Sequence, residues 1–194
     1  QKLFGSPEKI ARQIKKRIRE EIKLTCSVGV APVKFLAKIA SDMDKPDGLT
    51  VISPEQVDEF VRKLPVGKIP GVGPRAKIEL DKIGVRTLED VRRHSQEALR
   101  KKLGKFGYRL KQLSMGKDHS PVVPFSPPKS MSAEQTLPFD TGDRETLRQY
   151  LFRQAEDVGR QLRKAGVKAK TVSIKVKSTD FQQITRIEIN WFSM

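Results

Sequence analysis

The apolar positions along the chain change period several times, and each change marks an element. Ile10, Ile14, Ile18 and Ile22 recur every four residues beneath a basic face, the spacing of an amphipathic helix. Ser6 is placed as its N-cap and Pro7 as its first helical residue, where the missing N–H costs nothing. Leu24–Val30 reads as a buried strand and Val33–Met43 as a helix. The turn Lys45-Pro46-Asp47-Gly48 and a short strand Leu49–Ile52 follow.

Beyond Ser53 the pattern is helix and tight turn. Ser53 and Gln56 form a capping box for a helix Pro54–Leu64. The hairpin Pro70-Gly71-Val72-Gly73 leads into a helix Pro74–Ile83 that Gly84 closes. Thr87 and Ser95 are N-caps of two further helices, and Gly104 to Gly107 is a second glycine hairpin before a last helix to about Met115. Four of the eight residues 121–128 are proline, which predicts an extended tether. Past it, Lys129–Thr136 reads as a strand. A long helix Asp143–Ala165 follows, with Leu147, Leu151, Ala155, Val158 and Leu162 inward. Thr171–Lys177 alternates with Val172, Ile174 and Val176 on one face, and a last strand begins near Gln182. The fold class is therefore α+β.

Charge sharpens this picture. The 194 residues hold 39 Lys and Arg against 23 Asp and Glu, a net +16, and residues 53–117 alone carry +8. Such a surplus suits a polyanion, because each phosphate neutralised releases counterions. A membrane partner is not expected, since no basic helix has a strongly aromatic face and no apolar run nears the ~18 residues of a span. The single cysteine, Cys26, forbids an internal disulfide and fits a cytoplasmic compartment. The chain opens on Gln1 rather than Met, so its natural start is expected to be missing.

The hairpin Lys68-Ile69-Pro70-Gly71-Val72-Gly73-Pro74 carries the clearest chemistry. Two glycines let consecutive amides point outward at a helix start, a ready phosphate site, and Lys68, Arg75, Lys77 and Lys82 surround it. Other phosphate motifs fail. No Gly-Lys-Ser/Thr occurs, and Gly71-Val72-Gly73-Pro74-Arg75-Ala76 lacks both the third glycine and a preceding strand. His94 and His119 read as surface residues. Asp42, Asp44 and Asp47 fail as a calcium loop, because Pro46 and Ser53 stand where ligands are needed. They read as a solvated helix end.

Ser27-Val28-Gly29-Val30-Ala31-Pro32-Val33-Lys34-Phe35-Leu36-Ala37-Lys38, continuing through Ile39 to Gly48, closely resembles the end of the palm in DinB-type, Y-family translesion DNA polymerases. Leu64 to Gly73 resembles their thumb, and Lys129-Ser130 the start of their little finger. The resemblance implies a palm remnant at 1–52, a helix-hairpin-helix thumb at 53–117, a Pro-rich linker at 118–128 and a partial little finger at 129–194. It implies that Lys45 contacts the triphosphate of an incoming dNTP. It also implies that Lys34, Lys38, Gly71, Val72, Gly73, Arg75, Lys129, Ser130, Lys175 and Lys177 lie against DNA. Asp47 stands where the family usually has Asn, a negative charge near that triphosphate. The family's Mg²⁺-binding carboxylates would lie upstream of Gln1, so no catalytic or metal residue is assigned and the chain alone is expected to be inactive. Primer-template DNA, dNTP and a sliding clamp are the partners so implied, in a bacterial cytoplasm. Residues 187 to 194 do not resemble the family; Ile187, Ile189 and Trp191 share one side of an extended segment suited to covering an incomplete sheet.

Two other readings stay open. A stand-alone helix-hairpin-helix DNA-binding protein shares the hairpin. An RNA-binding protein would show exposed aromatics for stacking, against only 6% aromatic residues.

Overall fold

In the computed structural model, which describes residues 4–189, Ser6 accepts the Lys9 N–H at 3.2 Å and opens α1 (Pro7–Arg17). A π-helical turn, Ile18–Ile22, prolongs it until Lys23, at φ 59°, reverses the chain. The isoleucine stripe is packed only in part. Ala11 is buried, Ile10 and Ile18 are half-buried, and Ile14 and Ile22 are 45% and 60% exposed.

The chain divides into two units, Gln1–Val123 and Pro124–Met194. In the first, β1 (Val28–Val30) and β2 (Leu49–Val51) pair in parallel through α2 (Lys34–Met43), with Gly29 opposite Thr50. The strand predicted from Leu24 is shorter. Leu24 is exposed, Cys26 is only half-buried, and the Cys26 carbonyl accepts from the Lys15 ammonium (2.7 Å) instead of a neighbouring strand.

The helical region forms as predicted, with one more break. Ser53 and Gln56 make the capping box over a 3-10 turn, Pro54–Gln56, and α3 (Val57–Lys63) follows. Then come α4 (Pro74–Asp81), α5 (Leu88–Arg93), α6 (Gln96–Leu103) and α7 (Lys105–Ser114). Thr87 and Ser95 cap α5 and α6. One apolar cluster runs from Leu36 and Ile39 of α2 through Ile52 and Val61 to Leu80, Leu88, Leu99 and Leu110. Each fully buried leucine contributes about 1.5–3 kcal/mol. The residues expected as two regions, 1–52 and 53–117, thus share a core.

Two cations lock the helices together. Lys111 Nζ donates to the carbonyls of Arg92 (2.6 Å) and His94 (2.7 Å), the end of α5 where carbonyls lack helical partners. Arg92 donates to Ser114 O and pairs with Asp58 at 2.8 Å. The second glycine hairpin is a single residue, Gly104, between α6 and α7. Gly107 lies instead inside α7, buried, where an added Cβ would stand 2.3 Å from Leu99 O. Its role is close helix packing.

The linker starts docked. Asp118 accepts the Phe35 N–H at 3.2 Å, capping α2 from a distance, and Lys34 Nζ reaches Pro121 O at 3.1 Å.

In the second unit, Asp143 caps α8 (Arg144–Ala165) through the Thr146 N–H, and Gly166 ends it. β3 (Thr171–Lys177) and β4 (Gln183–Ile189) form an antiparallel hairpin. The strand predicted over Lys129–Thr136 is absent. Met131 and Ala133 are half-buried and their neighbours exposed, so the segment keeps strand-like alternation without a ladder. Alternation specifies an extended chain, but a ladder also needs a free strand edge at the right register. Of the residues expected inward on α8, Leu147, Val158 and Leu162 are half-buried while Leu151 and Ala155 are exposed. Every β3 residue is exposed as well. The expected covering role of Trp191 lies outside the described residues. No described helix is long and apolar enough to cross a membrane.

Candidate nucleic-acid interface

The hairpin before α4 is closed by the Val72 N–H, which donates to Ile69 O at 2.9 Å. Gly71 has φ 102°, a conformation open to glycine, and a Cβ there would meet the Phe106 ring at 2.6 Å. Gly73 differs. It has φ −84° and ψ −179°, ordinary extended backbone, and an added Cβ would meet nothing within 4 Å. The expectation that both glycines make the turn is therefore corrected: Gly71 makes it, and Gly73 leaves open space beside it.

The outward donors also differ from those expected. Val72 spends its N–H inside the turn and Pro74 has none. The N–H groups of Gly73, Arg75 and Ala76 have no acceptor among the described residues and make up the positive end of α4. Lys68, Arg75 and Lys77 are exposed and have no carboxylate partner among the described residues, whereas Lys82 pairs with Glu79 at 2.6 Å. Amides and uncompensated cations together suit an anion of phosphate type.

A second basic group gathers at the end of α2. Lys45 Nζ lies 2.5 Å and Lys38 Nζ 3.5 Å from Asp42, one on each carboxylate oxygen. The Lys45 hydrogen bond, then the charges of Lys45 and Lys38, hold the Asp42 carboxyl below its ordinary range. Lys34, one helical turn earlier, is drawn to Pro121 O instead. Asp47 does not face this group as a free charge. Lys15 lies 2.6 Å from one of its oxygens and Arg19 takes the other, so the Lys15 hydrogen bond, aided by the Arg19 charge against partial burial, lowers its pKa. Asp44 accepts from the Thr50 hydroxyl at 2.6 Å. All three carboxylates are thus engaged, and no metal-ligating group of three occurs among the described residues.

Lys15 and Arg19 escaped the sequence reading. The available signal was two basic residues four apart on one helical face; nothing local pointed to Asp47 as their partner.

In the second unit, Lys175 and Lys177 stand on one face of β3, opposite Thr185 and Gln183 of β4. Lys177 Nζ lies 4.6 Å over the Phe181 ring in the connecting turn. Lys129 and Ser130 are exposed in the irregular segment before α8. The second face carries Val172, Ile174, Val176 and Ile184, each 43–60% exposed.

Three family models match the chain in order. The impB/mucB/samB family matches residues 1–42, the DNA polymerase-iota thumb domain residues 67–118, and the impB/mucB/samB family C-terminal domain residues 128–189. The last match runs three residues beyond the expected limit near 186. DNA polymerase IV of Alkalilimnicola ehrlichii is 44% identical over 94% of this chain and 51% of its own length. That of Clostridium perfringens is 45% identical over 94% and 51%. Among solved structures, a Y-family polymerase chimera of Dbh and Dpo4 superposes with TM-score 0.76 at 30% identity, covering 96% of this chain and 54% of that one. An insertion ternary complex of Dbh DNA polymerase gives 0.60 at 27% identity, covering 98% and 55%. The chain spans about half the length of the curated relatives it matches. With the impB/mucB/samB, thumb-domain and C-terminal-domain models matching in order and DNA polymerase IV relatives along nearly its whole length, the chain belongs to the DinB-type Y family of DNA polymerases.

Proposed function

We propose that the chain is the palm-end, thumb and little-finger portion of a DNA-directed polymerase for translesion synthesis, with its regions at 1–52, 53–117 and 129–194. Its own task is to hold primer-template duplex by the backbone. The observation that carries this reading is the trio of unpartnered amides at Gly73, Arg75 and Ala76 beside Lys68, Arg75 and Lys77. Such a site grips phosphate and ignores base identity. Lys34, Lys38, Lys129, Ser130, Lys175 and Lys177 extend the basic contact, and Lys45 meets the triphosphate of the incoming dNTP. An ammonium is apt there, as a compact point charge that exchanges Asp42 for phosphate oxygens.

Mg²⁺ belongs to this reading as the cofactor of the whole polymerase, and a sliding clamp and a bacterial cytoplasm as its setting; no step is assigned to a metal on this chain. The test is fluorescence anisotropy of a labelled duplex against the 194-residue chain at stepped salt. With roughly five phosphates engaged, log K falls with log salt at a slope of about −4 to −5, alike for unrelated sequences. A flat salt response, or strong dependence on base sequence, defeats the reading.

A further inference from the structure

Lys45 sits in a turn held from beneath by one largely enclosed ammonium. The Lys15 side chain is only 18% exposed. Its Nζ donates to Asp47 O (2.7 Å), Gly48 O (3.1 Å) and Cys26 O (2.7 Å), and to Asp47 Oδ1 at 2.6 Å. Arg19, one helical turn on, takes the second Asp47 oxygen. Cys26 leads into β1 while Asp47 and Gly48 lead into β2, so one cation ties α1 to the entry of both strands. Asp47 has φ 61°, a left-handed conformation that Asp adopts more readily than most residues, and Lys15 and Arg19 hold its side chain there. Ser27 Oγ, which accepts the Gly48 N–H at 3.0 Å, steadies the next residue. Two residues before Asp47, the Lys45 ammonium points to the surface, with Asp42 as its carboxylate partner among the described residues.

We propose that Lys15 is a positioning residue which, through Asp47, fixes the turn that presents Lys45 to a polyphosphate. The proposal rests on the reading of Lys45 as a triphosphate contact. Without Lys15, four acceptors lose their shared donor and the turn gains conformers. A ligand must then order the turn as it binds, which lowers affinity without touching the contact itself. The same logic explains why an aspartate is serviceable in a site for anions: its charge is consumed by Lys15 and Arg19.

The experiment is an NMR titration of the 194-residue chain with tripolyphosphate, following the amides of Asp44, Lys45, Asp47 and Gly48. The parent chain is compared with Lys15→Met, Lys45→Ala and the double variant. Lys15→Met is expected to weaken binding about fivefold, the size of coupling usual within one ion-pair network. In the Lys45→Ala background the same change should do nothing further. Asp47→Asn keeps the side-chain shape and removes the ion pair; it stands in if Lys15→Met does not fold, and should give a smaller loss in the same direction. Equal losses in both backgrounds would make Lys15 a separate charge and overturn the proposal. Binding unchanged by Lys15→Met or Asp47→Asn, but lost with Lys45→Ala, overturns it while leaving the Lys45 reading intact. Binding unchanged by Lys45→Ala removes that reading, and the proposal with it.

Discussion

The two hairpin glycines are chemically identical and should fail in opposite ways when each becomes alanine. At Gly71, φ of 102° places any L side chain in a region worth about 1–3 kcal/mol of strain. The new methyl also meets Phe106 Cε2 at 2.6 Å, and relieving that overlap in a packed site costs about 1–3 kcal/mol more. The sum is roughly 2–6 kcal/mol, or a fall in Tm of roughly 8–24 °C for a unit of this size. At Gly73 the backbone is ordinary and the methyl meets nothing within 4 Å. Alanine is a poorer N-cap by about 0.5 kcal/mol, and a stiffer unfolded chain offsets that by a similar ~0.4–1 kcal/mol. Gly73→Ala should therefore melt with the parent. Its methyl nevertheless occupies the open space beside the free amides. Losing one charge-assisted hydrogen bond of about 1.5–3 kcal/mol weakens duplex binding roughly tenfold or more. Differential scanning calorimetry reads the first effect and anisotropy at fixed salt the second. If Gly71→Ala melts normally, the packing argument is wrong; if Gly73→Ala binds DNA like the parent, the phosphate does not sit on these amides.

Gly107→Ala should destabilise by about 2 kcal/mol in a thermal melt, because its methyl would meet the backbone of Leu99 at 2.3–2.5 Å, outweighing the ~1 kcal/mol gain in helix propensity. Lys111→Met keeps the apolar stem but strips the donors from Arg92 O and His94 O; urea denaturation should show a loss of about 1–3 kcal/mol at an unchanged m-value. Asp90 accepts from the Thr87 and Arg86 amides and the Thr87 hydroxyl, and these hydrogen bonds, the Thr87 amide first, lower its pKa below the ordinary value of about 4. A depressed carboxyl stabilises fully above its unfolded pKa and loses that effect as pH falls through the lower folded value. Asp90→Ala should accordingly lower Tm at pH 7 and flatten its decline below about pH 4; an acid limb as steep as the parent's excludes the cap as its source.

Elements whose signals are local were legible from the chain. The caps at Ser6, Thr87 and Ser95 are bonds between a side chain and an amide three residues on, so residue type and spacing nearly determine them. The strand over Lys129–Thr136 shows the limit, since alternation describes the segment while pairing depends on a partner elsewhere. The isoleucine stripe of α1 is packed at Ile10 and Ile18 but not at Ile14 and Ile22 for a related reason: periodicity marks a face, and burial needs something against it. Gly107 and Gly104 look alike in sequence, yet one is a turn and the other a contact, because only the crossing of α6 and α7 separates them. At the candidate site, Gly71 and Arg75 stand out by motif and charge, whereas Lys38 and Lys45 are pointed to only by the family resemblance. Lys15 is indicated by neither, since its acceptors lie 11, 32 and 33 residues away.

The net charge of +16 hides two kinds of cation. Lys68, Arg75 and Lys77 stand at the hairpin without carboxylate partners among the described residues, so an arriving phosphate displaces only water and counterions there. Lys38 and Lys45 share Asp42, and a phosphate must take them from a carboxylate. That exchange is still easy, because the Lys45 and Asp42 side chains are 62% and 48% exposed, and an exposed pair is worth at most about 1 kcal/mol. On the proposed reading, the hairpin suits a strand that is always present and Lys45 an anion that comes and goes. Asp42 holds the Lys45 ammonium at the surface, whereas Lys15 grips Asp47 from a half-buried position with its side chain 18% exposed. Location, not count, separates the lysines that hold the fold from those left at the surface.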